Sequence, residues 1–238
     1  MTSWREDYLA RLTQPGKDAQ QVFDELALMS RDIGFEYCSL GIRVPSYGDV
    51  PLESWSTNYP GSWQERYLGH NYLTIDPVIE AAVHSPLPVV WNDRLFQQRR
   101  PFWEEARAHG VCHGWTLAMH GIAGEMGLLS LARSDVPVST EELAEEEARL
   151  IWLAHTANGV IGTIVANANA PGPVHELTRR EREVLRWTAA GKTSGEIGKI
   201  LGVSTRTVNF HVNSALAKLN ATNKTQAVVK AFLFNMLD

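Results

Sequence analysis

The 238-residue sequence predicts an α+β protein with an N-terminal α/β/α sandwich and a C-terminal all-α domain of four helices. Helical and strand-like patterns alternate up to residue 166, whereas residues 176–238 contain helical patterns alone. Between them, residues 167–175 are small and polar and include two prolines and a glycine, which is typical of a linker. We therefore place two domains at 1–166 and 176–238, joined by that linker.

The N-terminal elements follow from spacing and from turn residues. Apolar residues recur at helical spacing over 18–33, and Gly34 is a suitable C-cap. Aromatic and branched side chains predict a strand over Phe35–Val44, which ends before Pro45. The sequence also predicts a helix over Pro101–His109. A hairpin follows, with strands Trp115–His120 and Met126–Arg133, and its strands would complete a mixed or antiparallel sheet.

A long helix is predicted over Ser139–Val165, because Ser139 and Glu142 have the spacing of a capping box. One side of it is acidic, and the other side carries a heptad-like apolar stripe. The stripe can pack on the domain's own sheet, form a dimer seam, or do both, since Leu153 and Val160 lie off it. Its members are Leu143, Leu150, Ala154, Ala157, Ile161 and Ile164.

Charge is distributed unevenly along the chain. The net charge is −5, but residues 174–238 carry ten Lys/Arg and five Asp/Glu, a local charge of +5. A small basic domain attached to an acidic one suggests a polyanionic partner, although charge alone also fits a solubility effect. With two cysteines, no signal-like N-terminus and no apolar run of membrane-spanning length, the sequence predicts a cytoplasmic protein with no membrane association.

The C-terminal domain shows the strongest local signals. Thr178 and Glu181 form a capping box that opens a first helix, which ends near Gly191. The next two helices surround Gly202-Val203, and this arrangement predicts a helix-turn-helix whose second helix enters the major groove of double-stranded DNA. The predicted helices after the first are Thr193–Leu201, Thr205–Leu219 and Thr225–Leu237.

The outward face of the second helix of this motif is suited to reading bases. Arginine bonds guanine bidentately, and asparagine does the same for adenine. Residues at helix starts suit phosphates. A polar outer face that is simply solvated is the alternative. The predicted base-facing residues are Thr205, Arg206, Asn209, Phe210 and Asn213, and the phosphate-facing ones are Lys192, Thr193 and Thr207.

The run LTRREREVLRWTAAGKTSGEIGKILGVSTRTVNFHVNSALAKLNATNKTQAVVKA resembles the DNA-binding domain of LuxR-type regulators. Three hallmark positions of that family fall on Glu181, Leu185 and Gly191. We interpret them as architectural, because a cap, a packed side chain and a turn need not touch a base.

Residues 34–133 resemble the acyl-homoserine-lactone-binding domain of quorum-sensing LuxR-type proteins, especially the orphan receptors without a dedicated signal synthase. The resemblance rests on NYPGSWQERYLGHNYLTIDPVIEAAV and on Trp91 and Gly114. It implies that Asp76 accepts the ligand amide N–H, that Trp63 binds the lactone carbonyl, and that Tyr59 with Ser39 binds the amide carbonyl. The implied lining residues are Trp55, Tyr67, Val78, Trp91, Phe102, Trp115 and Ser130.

The resemblance further implies an autoinducer ligand, no cofactor or metal, a homodimer, and contact with RNA polymerase. From the residues alone, Asp76 before Pro77 also fits an N-cap, and Trp63, Tyr67 and Trp91 also fit an aromatic core. The sequence shows no phosphate loop, nucleophile elbow or acid–base pair, so we expect no enzyme. A receptor for a different small molecule and a protein antiactivator that forms mixed dimers stay open.

Overall fold

The computed structural model describes residues 3–44, 52–121, 125–168, 176–233 and 236–237. The chain divides into two compact units. One contains Met1–Val44 and Leu52–Asn169, and the other contains Ala170–Asp238. From residue 169 onward, the predicted linker lies outside the described residues.

The N-terminal unit is built on one sheet of five strands. All strand pairs in it are antiparallel, so of the mixed and antiparallel sheets that the sequence allowed, the structure has the antiparallel one. The first strand starts at Tyr37, because the N–H of Phe35 still bonds to Ser30 at the end of the preceding helix. The strands are β1 Tyr37–Val44, β2 Leu52–Thr57, β3 Val89–Val90, β4 His113–His120 and β5 Met126–Arg133, in the order β2-β1-β5-β4-β3.

Helices cover both faces of the sheet. On one face, α1 Trp4–Leu12, α2 Ala19–Asp32 and α6 Thr140–Ala168 enclose the main core. On the other, α3 Gly61–Gly69, α4 Pro77–Val83 and α5 Arg100–Ala108 enclose a second, aromatic cluster. Strand side chains alternate between these two clusters, so the fold is the predicted α/β/α sandwich.

The apolar stripe of α6 faces the domain's own sheet. Leu150, Ala154, Ala157 and Ile161 are buried there. Leu153, which lies off the heptad-like stripe, is fully buried as well, so the buried face is wider than a heptad seam. At the start of the helix Ser139 accepts a bond from the backbone of Glu142, whose carboxylate binds Arg133 instead of completing a capping box.

An 18-residue window of α6 reaches a mean hydropathy of 1.2, enough by length and composition alone to cross a membrane. The expectation that no segment reaches that length therefore needs correction. The buried residues of α6 pack on the sheet, and core helices of folded domains meet the same criterion.

The C-terminal unit contains four helices among its described residues. They are α7 Arg179–Ala189, α8 Ser194–Leu201, α9 Thr205–Lys218 and α10 Lys224–Leu233. Capping boxes open α7 at Thr178 and α8 at Thr193, and Gly202 ends α8 in the left-handed region at φ 66°. Met236 and Leu237 are not helical, so the fourth helix is shorter than the predicted Thr225–Leu237.

Candidate ligand cavity and DNA-binding face

A cavity of about 510 Å³ lies on the aromatic side of the sheet. Its volume is in the range of small-molecule sites, and most of its wall is apolar or aromatic. Ten of the eleven predicted ligand residues line it, namely Ser39, Trp55, Tyr59, Trp63, Tyr67, Asp76, Val78, Trp91, Phe102 and Ser130.

Two adjacent strands form the floor of the cavity. Ser39, Gly41 and Arg43 of β1 face it at alternate positions, and their partners on β5 are Ser130, Leu128 and Met126. Four residues of strand span about 13 Å, so the floor is a strip of that length. It runs from a pair of serines, past Gly41, to Arg43, which forms an exposed ion pair with Glu53 of β2 at 3.7 Å.

The eleventh predicted residue, Trp115, does not reach the cavity. It is fully buried in the main core, on the opposite face of the sheet, and its indole N–H donates to Glu147 of α6 at 3.2 Å. Its neighbour Thr116 faces the aromatic side and accepts a bond from Trp91. Adjacent residues of a strand point to opposite faces, so the assignment of Trp115 to the ligand site is wrong.

Asp76 combines the two roles that the sequence left open. Its Oδ1 caps α4 by accepting the backbone N–H of Val78 at 2.8 Å, and its Oδ2 accepts the Tyr67 hydroxyl at 2.9 Å. Burial raises the pKa of Asp76 to about 6, although the bonds from Val78 and Tyr67 oppose that shift. A carboxylate that is poorly compensated and borders a cavity is a strong acceptor for a ligand N–H.

The phenols beside Asp76 are neutral donors. Burial raises the pKa of Tyr59 well above its usual value, and it also raises the pKa of Tyr67, with Asp76 adding to the shift. The part of the cavity around Asp76 therefore combines a carboxylate with neutral hydroxyl and indole groups, a set that matches a ligand with one N–H and several carbonyls.

Two indole groups each donate to a hydroxyl of the sheet, one at Ser39, which lines the cavity, and one at Thr116, which is fully buried. Trp55 Nε1 donates to Ser39 Oγ at 2.8 Å. Trp91 Nε1 donates to Thr116 Oγ1 at 2.9 Å, and Thr116 donates onward to Ser130 Oγ at 3.0 Å. Thr116 was not among the ligand residues predicted from the sequence.

Aromatic rings of α3 and α5, together with Tyr72 between α3 and α4, form the roof. The ring centroid of Trp63 lies 5.7 Å from those of both Tyr67 and Phe102. The rings of Tyr72 and Phe102 pack edge-on, with their centroids 5.1 Å apart. The roof is fastened by a bidentate pair in which Arg66 binds Glu105 with two bonds of 2.7 Å.

Several lining residues were missed from the sequence. Phe96 and Trp103 stack at 3.8 Å with an interplanar angle of 8°. The alternation of β5 held a usable signal, because Ser130 faces the cavity and Leu128, two residues earlier, must share its face. Phe96 follows a turn and offered no periodic signal.

The predicted DNA-binding face is largely open to solvent. Thr205, Arg206, Asn209 and Asn213 are exposed on α9, and Phe210 is 69% exposed despite being aromatic. The opposite side of α9 is buried through Val208, Val212 and Ala215.

The three residues expected at phosphates differ in their local bonds. Lys192 is exposed just before α8. The hydroxyl of Thr193 donates to Glu196 at 2.7 Å, and the half-buried Thr207 shares a 2.8 Å bond with Ser204. Both hydroxyls are thus used within helix caps, which leaves Lys192 as the most accessible group of the three.

Glu181 has the architectural role expected of it. It is 3% exposed, completes the capping box of α7, and accepts bonds from Ser214 at 2.7 Å and Lys218 at 2.8 Å. Burial acts to raise the pKa of Glu181, but these bonds outweigh it and lower the pKa to about 2. Leu185 is fully buried, and Gly191 turns the chain at φ 78°.

Family models match both units. The model described as "Autoinducer binding domain" matches residues 18–161, and the one described as "Bacterial regulatory proteins, luxR family" matches residues 175–231. The chain belongs to the LuxR family. It is a transcription regulator with an autoinducer-binding domain and a helix-turn-helix domain, and not an enzyme.

Relatives and solved structures support the membership over the full length. The transcriptional activator protein AnoR of Acinetobacter nosocomialis is 36% identical, with both chains covered completely. A crystal structure of Escherichia coli SdiA is 34% identical, with a TM-score of 0.77, and covers 99% of this chain and 98% of its own. SdiA in complex with octanoyl-rac-glycerol is 35% identical, with a TM-score of 0.75, covering 97% and 94%. The finer resemblance to orphan receptors stays a prediction.

Proposed function

We propose that this LuxR-family regulator is a receptor for an N-acyl homoserine lactone, bound in the cavity between the sheet and the aromatic roof. The observation that carries the proposal is the polar end of the cavity, where the half-buried Asp76 carboxylate lies beside neutral phenols. Asp76 accepts the amide N–H, Trp63 donates to the lactone carbonyl, and Tyr59 with Ser39 donates to the amide carbonyl. The acyl tail then follows the floor over Gly41 and Leu128.

A second candidate ligand is an acylglycerol. SdiA has been solved with octanoyl-rac-glycerol, and it is similar to this chain over 97% of its length. An acylglycerol has the same apolar tail but an ester in place of the amide, so it gives Asp76 a hydroxyl instead of an N–H. The two candidate ligands therefore differ in the group that donates a hydrogen bond to Asp76.

The proposed output is binding of a homodimer to dyad-symmetric promoter DNA in the cytoplasm, with contact to RNA polymerase. The exposed arginine and asparagines on α9 support base reading, and a two-fold dimer would place half-sites about 10 bp apart. Ligand in the cavity stabilises the folded, dimerising state by mass action, so that DNA affinity rises with signal.

The ligand class is tested by soluble yield and melting temperature with a panel of acyl homoserine lactones and matched monoacylglycerols. We expect the melting temperature to rise with lactones and to follow tail length. Asp76→Ala should lose the response to lactones while the C-terminal domain stays folded. A shift with acylglycerols alone would favour the second candidate, and no shift with either would reject both.

Base reading is tested with Arg206→Ala on specific and non-specific duplexes at fixed salt. We expect a loss of specific affinity of about 1–3 kcal/mol, with non-specific binding much less affected. Lys192→Ala, the matched control, should weaken binding to both duplexes and reduce the salt dependence. An unchanged ratio of specific to non-specific affinity in Arg206→Ala would reject the role of Arg206.

A further inference from the structure

The floor of the cavity is buried at one end and exposed at the other. Ser39 at the first end is 8% exposed, whereas the side chain of Arg43 at the other end is 56% exposed. Burial, and then the electrostatic effects of Cys38 and Asp76, raise the pKa of Tyr59, so Asp76 lies near the Ser39 end. The groups proposed to hold the lactone and the amide are therefore at the buried end.

The exposed end of the floor lies along the edge of the sheet. β2 is an edge strand, and Glu53 and Trp55, which line the cavity from it, are both exposed. Two further lining residues, Leu68 and Leu73, are exposed as well. An acyl tail that follows the floor away from Ser39 therefore runs towards solvent.

The length of the floor sets which tails reach its exposed end. An extended chain advances about 1.2 Å per bond, because the protein backbone covers about 3.3–3.6 Å in three bonds. With the amide carbonyl at Ser39, a tail of about twelve carbons spans the roughly 13 Å to Arg43. A tail of six carbons ends about half-way, over the apolar floor formed by Gly41 and Leu128.

Arg43 offers a weakly engaged cation at the end of this path. It lies opposite Met126 of β5 and Glu53 of β2, and its Nε is 3.7 Å from Glu53 Oε1, which is longer than a hydrogen bond. Among the described residues, no hydrogen bond of the Arg43 side chain is recorded. A guanidinium has five N–H donors in the geometry that a carboxylate accepts, and its methylene stem can pack against an apolar tail.

We propose that this receptor accepts acyl homoserine lactones whose long tail ends in a carboxylate, and that Arg43 binds this carboxylate at the exposed end of the cavity. The inference rests on the proposed function, since it concerns the same cavity and the same ligand class. At the exposed end the carboxylate keeps part of its water and gains a cation. A shorter tail places the same charge in the apolar middle of the cavity, where an unpaired carboxylate is costly. Acceptance of the carboxylate therefore depends on tail length.

The test measures dissociation constants of the full chain for four lactones, with tails of about six and about twelve carbons that each end in a methyl or a carboxylate. We expect the long carboxylate to bind at least as tightly as the long methyl ligand, and up to about fivefold more tightly, the effect of an exposed ion pair. The short carboxylate should bind about a hundredfold or more weakly than its methyl counterpart. Added salt should reduce the affinity for the long carboxylate alone.

Two variants assign the effect to Arg43. Arg43→Met keeps an apolar stem but removes the charge, and it should weaken the long carboxylate by about three- to fivefold while the long methyl ligand keeps its affinity. Glu53→Gln removes the competing carboxylate and should strengthen binding of the long carboxylate. Arg31→Met is the matched control, because it removes an exposed arginine from α2, on the opposite face of the sheet, and it should change neither ligand.

Weaker binding of the long carboxylate than of the long methyl ligand to the unaltered protein would overturn the inference and leave the proposed function standing. The same would follow if Arg43→Met and Arg31→Met had equal affinities for the long carboxylate. Failure of every lactone to bind, including those with methyl ends, would overturn the proposed function itself.

Discussion

Asp76 is the residue through which we propose that the cavity recognises its ligand. Its pKa, raised to about 6 by burial, means that the folded protein keeps a proton that the unfolded chain releases above pH 3.8. Ionisation of Asp76 therefore lowers the free energy of unfolding as the pH rises from 3.8 to about 6. In the proposed complex, an amide N–H donated by the ligand would compensate this charge.

This linkage predicts pH-dependent ligand affinity. The bonded N–H lowers the pKa of Asp76 in the complex, so affinity should fall as the pH drops below about 6, approaching a tenfold loss per pH unit. Titrations at several pH values between about 5 and 7 measure this. Asp76→Asn keeps a helix-capping oxygen but does not titrate, and its affinity should be flat. A persistent slope in Asp76→Asn would assign the effect to a group other than Asp76.

A substitution at Trp115 should affect the stability of the fold but not the binding of the ligand. Trp115→Phe should lower the free energy of unfolding by about 1–3 kcal/mol, because it removes buried volume and the bond to Glu147, yet it should change lactone affinity little. Urea unfolding and ligand titration give the two quantities. Trp91→Phe, on the cavity side, should weaken binding. A large loss of lactone affinity in Trp115→Phe would restore the assignment that we have corrected.

At the scale of elements, the roof depends on the fastening of α3 to α5. Hydrogen bonds from Arg66 and then Tyr72 lower the pKa of Glu105 to about 2. The stability that this carboxylate contributes is present above its usual pKa of 4.5 and is lost as the pH falls towards about 2. The pair thus holds the roof at every pH at which the ligand would bind.

Glu105→Gln should loosen the roof and weaken lactone binding by about two- to fivefold, mostly through faster dissociation. Stopped-flow displacement measures the rate directly. Glu104→Gln removes the exposed neighbouring charge on the same helix and should leave the rate unchanged. Equal dissociation rates in Glu105→Gln and the unaltered protein would show that the roof does not depend on this pair.

The turn of the helix-turn-helix depends on a close approach at Gly198. A Cβ there would lie 2.8 Å from the carbonyl oxygen of Val203, so Gly198→Ala should destabilise the C-terminal domain by about 1–3 kcal/mol. Gly195→Ala, on the same helix with its nearest contact at 4.0 Å, should be neutral or stabilising by up to about 1 kcal/mol. Thermal unfolding of both variants measures the difference, and equal stabilities would contradict the packing described.

The sequence predicted most elements but not every direction of a side chain. Caps such as Thr178 with Glu181 are local, so they placed α7 correctly. The error at Trp115 arose because a family resemblance assigned the residue without regard to the strand's alternation. Thr116 was missed because its role depends on Trp91, which is brought to it by strand pairing between β3 and β4.

At the scale of the whole molecule, two compact units carry two different chemistries. The N-terminal unit encloses a cavity with one poorly compensated carboxylate, and the C-terminal unit exposes a helix face that carries Arg206, Asn209 and Asn213. Since the chain is a LuxR-family regulator, we expect occupancy of the cavity to set the affinity for DNA.

The most direct measurement is the affinity for a dyad-symmetric site, with and without an acyl homoserine lactone, on the same preparation at fixed salt. We expect the affinity for DNA to increase by about tenfold or more with ligand, and not to increase in Asp76→Ala. Equal DNA affinity with and without a lactone that calorimetry shows to be bound would contradict it.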